Sequence, residues 1–506
     1  MTEDNEKNLN KEYKSNDNLL SNKRERSENN NDDNNLNTKK IKEDTIKTIK
    51  FKSRPEYEKR LFHSKVIDNY IEEMSKKIKD ENLKKLFINC YPNTLDTTVE
   101  YDKEKEDTFI ITGDIEAMWL RDSCFQIYPY LSHCKKDEHL KNMIKGMFNR
   151  QLNSILIDPY ANAFNKTELE SPWINDLTYK KTNDGKYEKA MNKKIWERKF
   201  ELDSLTLPIF TILKYIEFTN DKSIINNKFY EVLNKIIFVL EKEKRGFEDE
   251  DKEGGPEYLF QRIIKDPYDS LNRGRGSPCK TCGMIKTSFR NSDDSSIFPY
   301  NIPENCLLVS VIELLFKLIE KNNINEYLFN KLDLICKEVK ESIFKYGVFI
   351  DYENNNEKYF AHEIDGFGNF YFMDEPGYPN LISLPFFNFC SNNDEIYLNT
   401  RKRILSEKNP FYIKGKFGPG ESSTHGQRNF IWPLFTIMRG LTSNDKNEIK
   451  ECLNLLVESG KNSGFIHESY HVDDVNNFTR DWFAWANSFF GLFVEKISIE
   501  YPDLIF

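Results

Sequence analysis

Asp293 and Asp294 are adjacent carboxylates that follow Phe289-Arg290 and stand just before a strongly apolar stretch opening at Ile302-Pro303-Glu304-Asn305. A third carboxylate, Glu468, lies far downstream in Gly464-Phe465-Ile466-His467-Glu468-Ser469. Hydrolysis of a glycosidic bond needs two carboxyl groups drawn from separate parts of a chain and facing across one bond. One is held protonated to release the leaving oxygen, and the other is ionised to activate water. A neighbouring like charge helps keep the first protonated, and Asp293 and Asp294 would supply that to each other if both faced one pocket. Either Asp could instead cap the helix that follows.

Three further segments carry residues suited to a sugar. Thr112 to Ser123 brings together Asp114, Trp119, Arg121 and Asp122. Asp and Arg can bond vicinal hydroxyls and Trp offers a flat face, although Asp114 could equally cap a helix whose Arg121 and Asp122 pair internally. Asp374 and Glu375 occupy a loop rich in Pro and Gly. Beyond Gly415 to Gly420, which lacks the GK[ST] ending of a phosphate loop, stand Thr424-His425 and Trp432, and Arg480 follows Phe478-Thr479. His467-Glu468 does not fit HExxH, and Cys279-Lys280-Thr281-Cys282 has no second ligand pair nearby, so neither a metal nor another cofactor is expected.

Positioning these groups requires a scaffold. Apolar residues recur at three- and four-residue steps over Leu61 to Ile78, Leu140 to Leu156, Leu205 to Ile216, Phe229 to Leu240, Cys306 to Ile319, Tyr327 to Ile343, Trp432 to Leu441, Ile449 to Val457 and Trp482 to Ile497. Strand patterns are few: Phe109 to Thr112, Val348 to Tyr352 and Tyr412 to Lys414. The expectation is an all-α domain over residues 53–506, a toroid of paired helices with its chemically rich connectors gathered at one mouth. Residues 1–52, dominated by Asn, Asp, Glu, Lys and Ser, cannot bury enough apolar surface to fold and are read as a disordered tail. The basic clusters Lys23 to Arg26 and Lys39 to Lys42 are read as part of that composition rather than as an import signal.

A net charge of −9 argues against broad nucleic-acid binding. No apolar run approaches the roughly 20 residues of a membrane span, and Met1 to Asn10 does not read as a signal peptide. Nine irregularly spaced cysteines suggest free thiols. A cytoplasmic location is the expectation.

Three strings are more specific than the rest: Thr112-Gly113-Asp114-Ile115-Glu116-Ala117-Met118-Trp119-Leu120-Arg121-Asp122-Ser123; Phe289 to Asp294 followed by Ile302 to Asn305; and His467-Glu468-Ser469 followed by Phe478 to Ser488. Together with the Asp374 and His425 segments, in this order, the chain resembles glycoside hydrolase family 125, the exo-acting α-1,6-mannosidases, from about Arg60 to Lys496. The resemblance implies an (α/α)6 barrel and a metal-independent, inverting hydrolase that removes terminal mannose from oligomannose chains or a mannose disaccharide. It places the acid within Asp293-Asp294, with Asp294 slightly favoured, and the base on Glu468. Asp114, Arg121 and Asp122 would hold the terminal mannose, with Trp119, Arg290, Asp374, His425, Trp432 and Arg480 as further pocket candidates. The chain departs from the family pattern at Lys286 and Asn291, where Trp and Pro are expected, which bears on the pocket edge. A glycan-binding protein without activity would not need the acid and base, and an epimerase of the same fold would need paired histidines.

Overall fold

The apolar stripes become two layers of helices. A computed structural model describes residues 53–262, 270–320 and 324–506; the tail and its basic clusters lie outside the described residues. The helices that matter here are α1 (Lys65–Lys77), α2 (Glu81–Cys90), α3 (Leu120–Ile127), α4 (Glu138–Ile157), α5 (Asp203–Thr219), α6 (Asn227–Glu243), α7 (Ile302–Leu318), α8 (Glu326–Tyr346), α9 (Glu395–Ile404), α10 (Pro433–Leu441), α11 (Lys446–Gly460) and α12 (Ala484–Glu500).

An inner ring closes in the order α3, α5, α7, the short 3-10 turn Leu381–Ser383, α10, α12 and back to α3. Its helices are apolar nearly all round, as burial on every side requires; every residue of α3 is buried, and so is every residue from Asp203 to Leu213 of α5. The outer helices α2, α4, α6, α8, α9 and α11 bury one stripe each. In α6 that stripe is Phe229, Val232, Leu233, Ile236, Ile237, Val239 and Leu240. One continuous core joins the layers. The architecture is the expected (α/α)6 barrel.

The two layers begin differently. Outer helices open on capping side chains: Asp80, Asp137, Asn226, Asn325, Asp394 and Asp445 each accept a hydrogen bond from the first turn. In the inner ring α7 does so through Asn301, and the 3-10 turn through Asn380, which accepts from Ser383 N. Trp119, Leu202, Trp432 and Phe483 stand at the cap positions of α3, α5, α10 and α12, and none can cap.

Periodicity placed most helices within a few residues, but α1 excludes Leu61 and Ile78, and α12 begins at Ala484 rather than Trp482. It missed α2, α3 and α9, which are short or carry polar residues in their buried faces. The three expected strands form as antiparallel pairs with Val99–Asp102, Glu357–Phe360 and Gly420–Glu421. Others are two to six residues long, too short to show alternation; among them Phe430–Ile431, Ser469–His471 and Asp474–Thr479 form one small sheet at the mouth. Among the described residues no helix is long and apolar enough to cross a membrane.

Candidate active site

The entrances to α3, α7, α10 and α12 carry charge and line one pocket. Trp119, Arg121 and Asp122 come from the start of α3, Asp293 from the connector into α7, His425 and Trp432 from that into α10, and Glu468, Arg480, Phe483 and Trp485 from the approach to α12. In ring order α7 and α12 stand across from each other. Asp293 and Glu468 therefore reach the pocket from opposite connectors.

Glu468 precedes the strand Ser469–His471, and the pairing of Ser469 with Thr479 brings Arg480 beside it. Arg480 Nη1 donates to Glu468 Oε1 at 3.2 Å, and Thr479 Oγ1 donates to Oε2 at 3.1 Å. The same guanidinium is clamped by Asp114, with Nε 2.9 Å from Oδ1 and Nη2 also bonded to it. Arg480 adopts the left-handed region at φ 52°. His467 steadies that turn, stacked on Phe478 with its Nδ1 3.0 Å from the Arg480 carbonyl. Burial opposes the Arg480 charge, but Glu468 and Asp114 outweigh it and raise its pKa.

Asp293 likewise sits in the left-handed region, at φ 66°, in a tight loop closed by a bridge between Phe289 and Ser295. Arg121 Nη2 stands 3.3 Å from its Oδ1, and Lys199 Nζ donates to its backbone carbonyl at 2.7 Å. Burial would raise its pKa, but Lys199, Arg121 and His425 lower it to about 2. Arg121 also meets Glu201 at 2.7 Å and Asp203 at 3.3 Å. Its Nε stands 3.7 Å from Asp122, too far for a hydrogen bond. Burial first, then Asp293, push Asp122 up to about 6 against the opposing pull of Arg121.

Asp294 turns the other way. It does not line the pocket; its carboxyl accepts a hydrogen bond from Thr424 Oγ1 and lies 3.3 Å from His425 Nδ1. Burial lowers the pKa of His425, but Asp294, Asp293 and Glu468 raise it to about 8. Arg290 and Asp374, expected at the pocket, are beneath it. Arg290 is fully buried, with Nη1 2.9 Å from Glu375 and its other nitrogens on Glu363. Glu363 also accepts from the backbone of Ile297 and Phe298, so the pair pins the Asp293 loop. Asp374 accepts from Leu381 and Ile382 N at 2.8 and 3.1 Å and starts the 3-10 turn of the inner ring. Of the two departures, Lys286 is buried between Glu243 and Glu250 in a separate cavity. Asn291 does line the pocket and donates to the Pro379 carbonyl at 2.6 Å.

Sequence reasoning did not single out Lys199, Glu201 or Asp203. The signal was present: Glu197-Arg198-Lys199-Phe200-Glu201 is a dense charged run directly before an apolar helix, and all five residues are buried.

A family model described as metal-independent α-mannosidase matches residues 80–495. The chain belongs to glycoside hydrolase family 125. A family-125 enzyme of Streptococcus pneumoniae, solved as a non-productive complex with α-1,6-mannobiose, superposes with a TM-score of 0.79 at 33% identity, covering 87% of this chain and all of that one. The meiotically up-regulated gene 157 protein of Schizosaccharomyces pombe is 36% identical over 462 residues, 89% of each chain. A bacterial glucoamylase solved with acarbose shares the fold alone, with a TM-score of 0.51 at 12% identity over 87% of this chain and 60% of that one. As a family-125 member the chain is a glycoside hydrolase whose activity is that of an exo-acting α-mannosidase.

Proposed function

We propose that the pocket receives the non-reducing mannose of an α-1,6-linked oligomannose chain and releases it with inversion, with Asp293 as acid and Glu468 as base. The observation that carries this reading is the pair itself. Of the two adjacent Asp residues only Asp293 faces the pocket, and Glu468 meets it there from the connector across the ring. A leaving oxygen next to Asp293 takes a proton while water held by Glu468 attacks the anomeric carbon from the other face. Arg480 and Thr479 fix the Glu468 carboxylate and leave lone pairs for that water. Asp122, which Arg121 Nε approaches only to 3.7 Å, is placed to accept from sugar hydroxyls, and Trp119, Trp432, Phe483 and Trp485 supply apolar walls for C–H faces. The mannobiose bound by the pneumococcal relative supports the linkage.

Exchanging each carboxylate separates the roles. Asp293→Asn is expected to lower kcat on α-1,6-mannobiose at least about a hundredfold, the usual worth of acid catalysis, and Asp294→Asn to lower it less. The reverse order would transfer the acid role to Asp294.

Nine free cysteines, eight of them buried, suit a reducing compartment, so action on free oligomannosides in the cytosol is the favoured setting. N-glycans found attached to the native protein would refute it.

A further inference from the structure

The Glu201 and Asp293 carboxyl groups meet on one guanidinium: Arg121 Nη1 lies 2.7 Å from Glu201 Oε2 and Nη2 3.3 Å from Asp293 Oδ1. Two carboxyl groups gathered this closely can bond each other only when one carries the proton, because carboxylates have no donor to offer. Glu201 is fixed from its other sides by Asn162 Nδ2 at 3.2 Å, Ser204 Oγ at 3.2 Å and Arg121 Nη1 at 2.7 Å. Asp203 and Glu304 face the cluster from the first turns of α5 and α7, and Asp122 from α3. The cations are Arg121 and Lys199, with His425 across the pocket. Carboxyl groups outnumber cations in this largely buried cluster, which keeps protons on some of them. Burial, opposed by Arg121 and reinforced by Asp293 and Asp203, raises Glu201 well above the ordinary carboxylate range, while Asp293 is held low. Glu201 is also the fully buried member, while Asp293 lines the pocket, so the resting proton belongs on Glu201, behind the group that must deliver it.

We propose that Glu201 is the proton reserve of the general acid, a positioning residue that protonates Asp293 as Asp293 protonates the leaving oxygen. The proposal rests on Asp293 being the acid. As the bond from the anomeric carbon to the leaving oxygen breaks, its electron pair stays on that oxygen, and the one proton of the pair passes from Glu201 to Asp293 and on to that oxygen, leaving both carboxyl groups ionised. Water bonds to the anomeric carbon and gives its proton to Glu468. The Glu201 and Asp293 pair is left with one more negative charge and Glu468 with one more proton, and exchange through solvent restores both.

The test is Glu201→Gln in the full chain, assayed on α-1,6-mannobiose and on α-mannosyl fluoride, whose leaving group needs little protonation. The mannobiose kcat is expected to fall about a hundredfold or more, the fluoride kcat by about tenfold or less, with KM for mannobiose little changed. Glu201→Asp, which keeps a titratable group at shorter reach, should restore part of the mannobiose rate and move the basic limb of its pH profile. That variant alone carries the test if the Gln form fails to fold. Equal losses on both substrates, a loss confined to KM, or an unchanged mannobiose rate would overturn the proposal and leave Glu201 as a structural partner of Arg121. A wild-type chain inactive on both substrates would defeat the mannosidase reading itself, and the proposal with it.

Discussion

His425 stands where three carboxylates converge, touching Asp294 and sensing Asp293 and Glu468. Its pKa is raised to about 8, above the ordinary 6.5. The stabilisation from its charge is therefore full below about pH 6.5 and disappears as pH rises through about 8. The melting temperature of His425→Asn is expected to fall furthest below wild type in acid, with the gap closing between pH 6.5 and 8.5 or so; a gap independent of pH would contradict the assignment. Glu468→Gln tests the base. Turnover should fall about a thousandfold or more, while calorimetric binding of mannobiose persists. A rate near wild type would show that Glu468 is not the base.

At the scale of elements, the mouth of the barrel gives up local stability for function. A Trp or Phe at an N-cap forgoes about 1 kcal/mol relative to Ser or Asp, yet Trp119, Trp432 and Phe483 occupy such positions because their rings wall the pocket. That conflict between local preference and position is visible in the sequence, since an aromatic residue directly before an apolar helix cannot cap it. The ring of helices was legible through its stripes. What was not legible is which charged residues face the pocket. Arg290 and Arg121 look alike in sequence, and only the folded partners separate them: Glu363 and Glu375 draw one beneath the loop, while Asp293 and the pocket hold the other. Arg290→Met would leave two buried carboxylates without their cation and is expected to cost about 3–5 kcal/mol, read by denaturant unfolding. Gly113 offers a second test of the mouth. At φ 136° it pairs with Phe483, and a Cβ there would sit 2.3 Å from the Trp482 carbonyl. Gly113→Ala should displace Asp114 from Arg480 and lower kcat/KM more than it lowers Tm; unchanged kinetics would mean that the clamp tolerates movement.

For the whole molecule, the closed ring lets segments far apart in sequence meet in one pocket, with Asp122, Asp293 and Glu468 each brought there at a different inner helix. The family match begins at residue 80, well after the Asn-rich segment. Deleting residues 1–52 is therefore expected to leave kcat/KM on mannobiose unchanged, and a clear loss would assign that segment a part in catalysis. With an acid and a base on opposite sides of this pocket, water displaces the glycosidic oxygen in one step. Proton NMR of the purified chain with α-1,6-mannobiose follows that step at the anomeric carbon. The first mannose released should appear as the β-anomer, mutarotating later. Mannose released first as the α-anomer would mean a retaining reaction and contradict the roles given to Asp293 and Glu468.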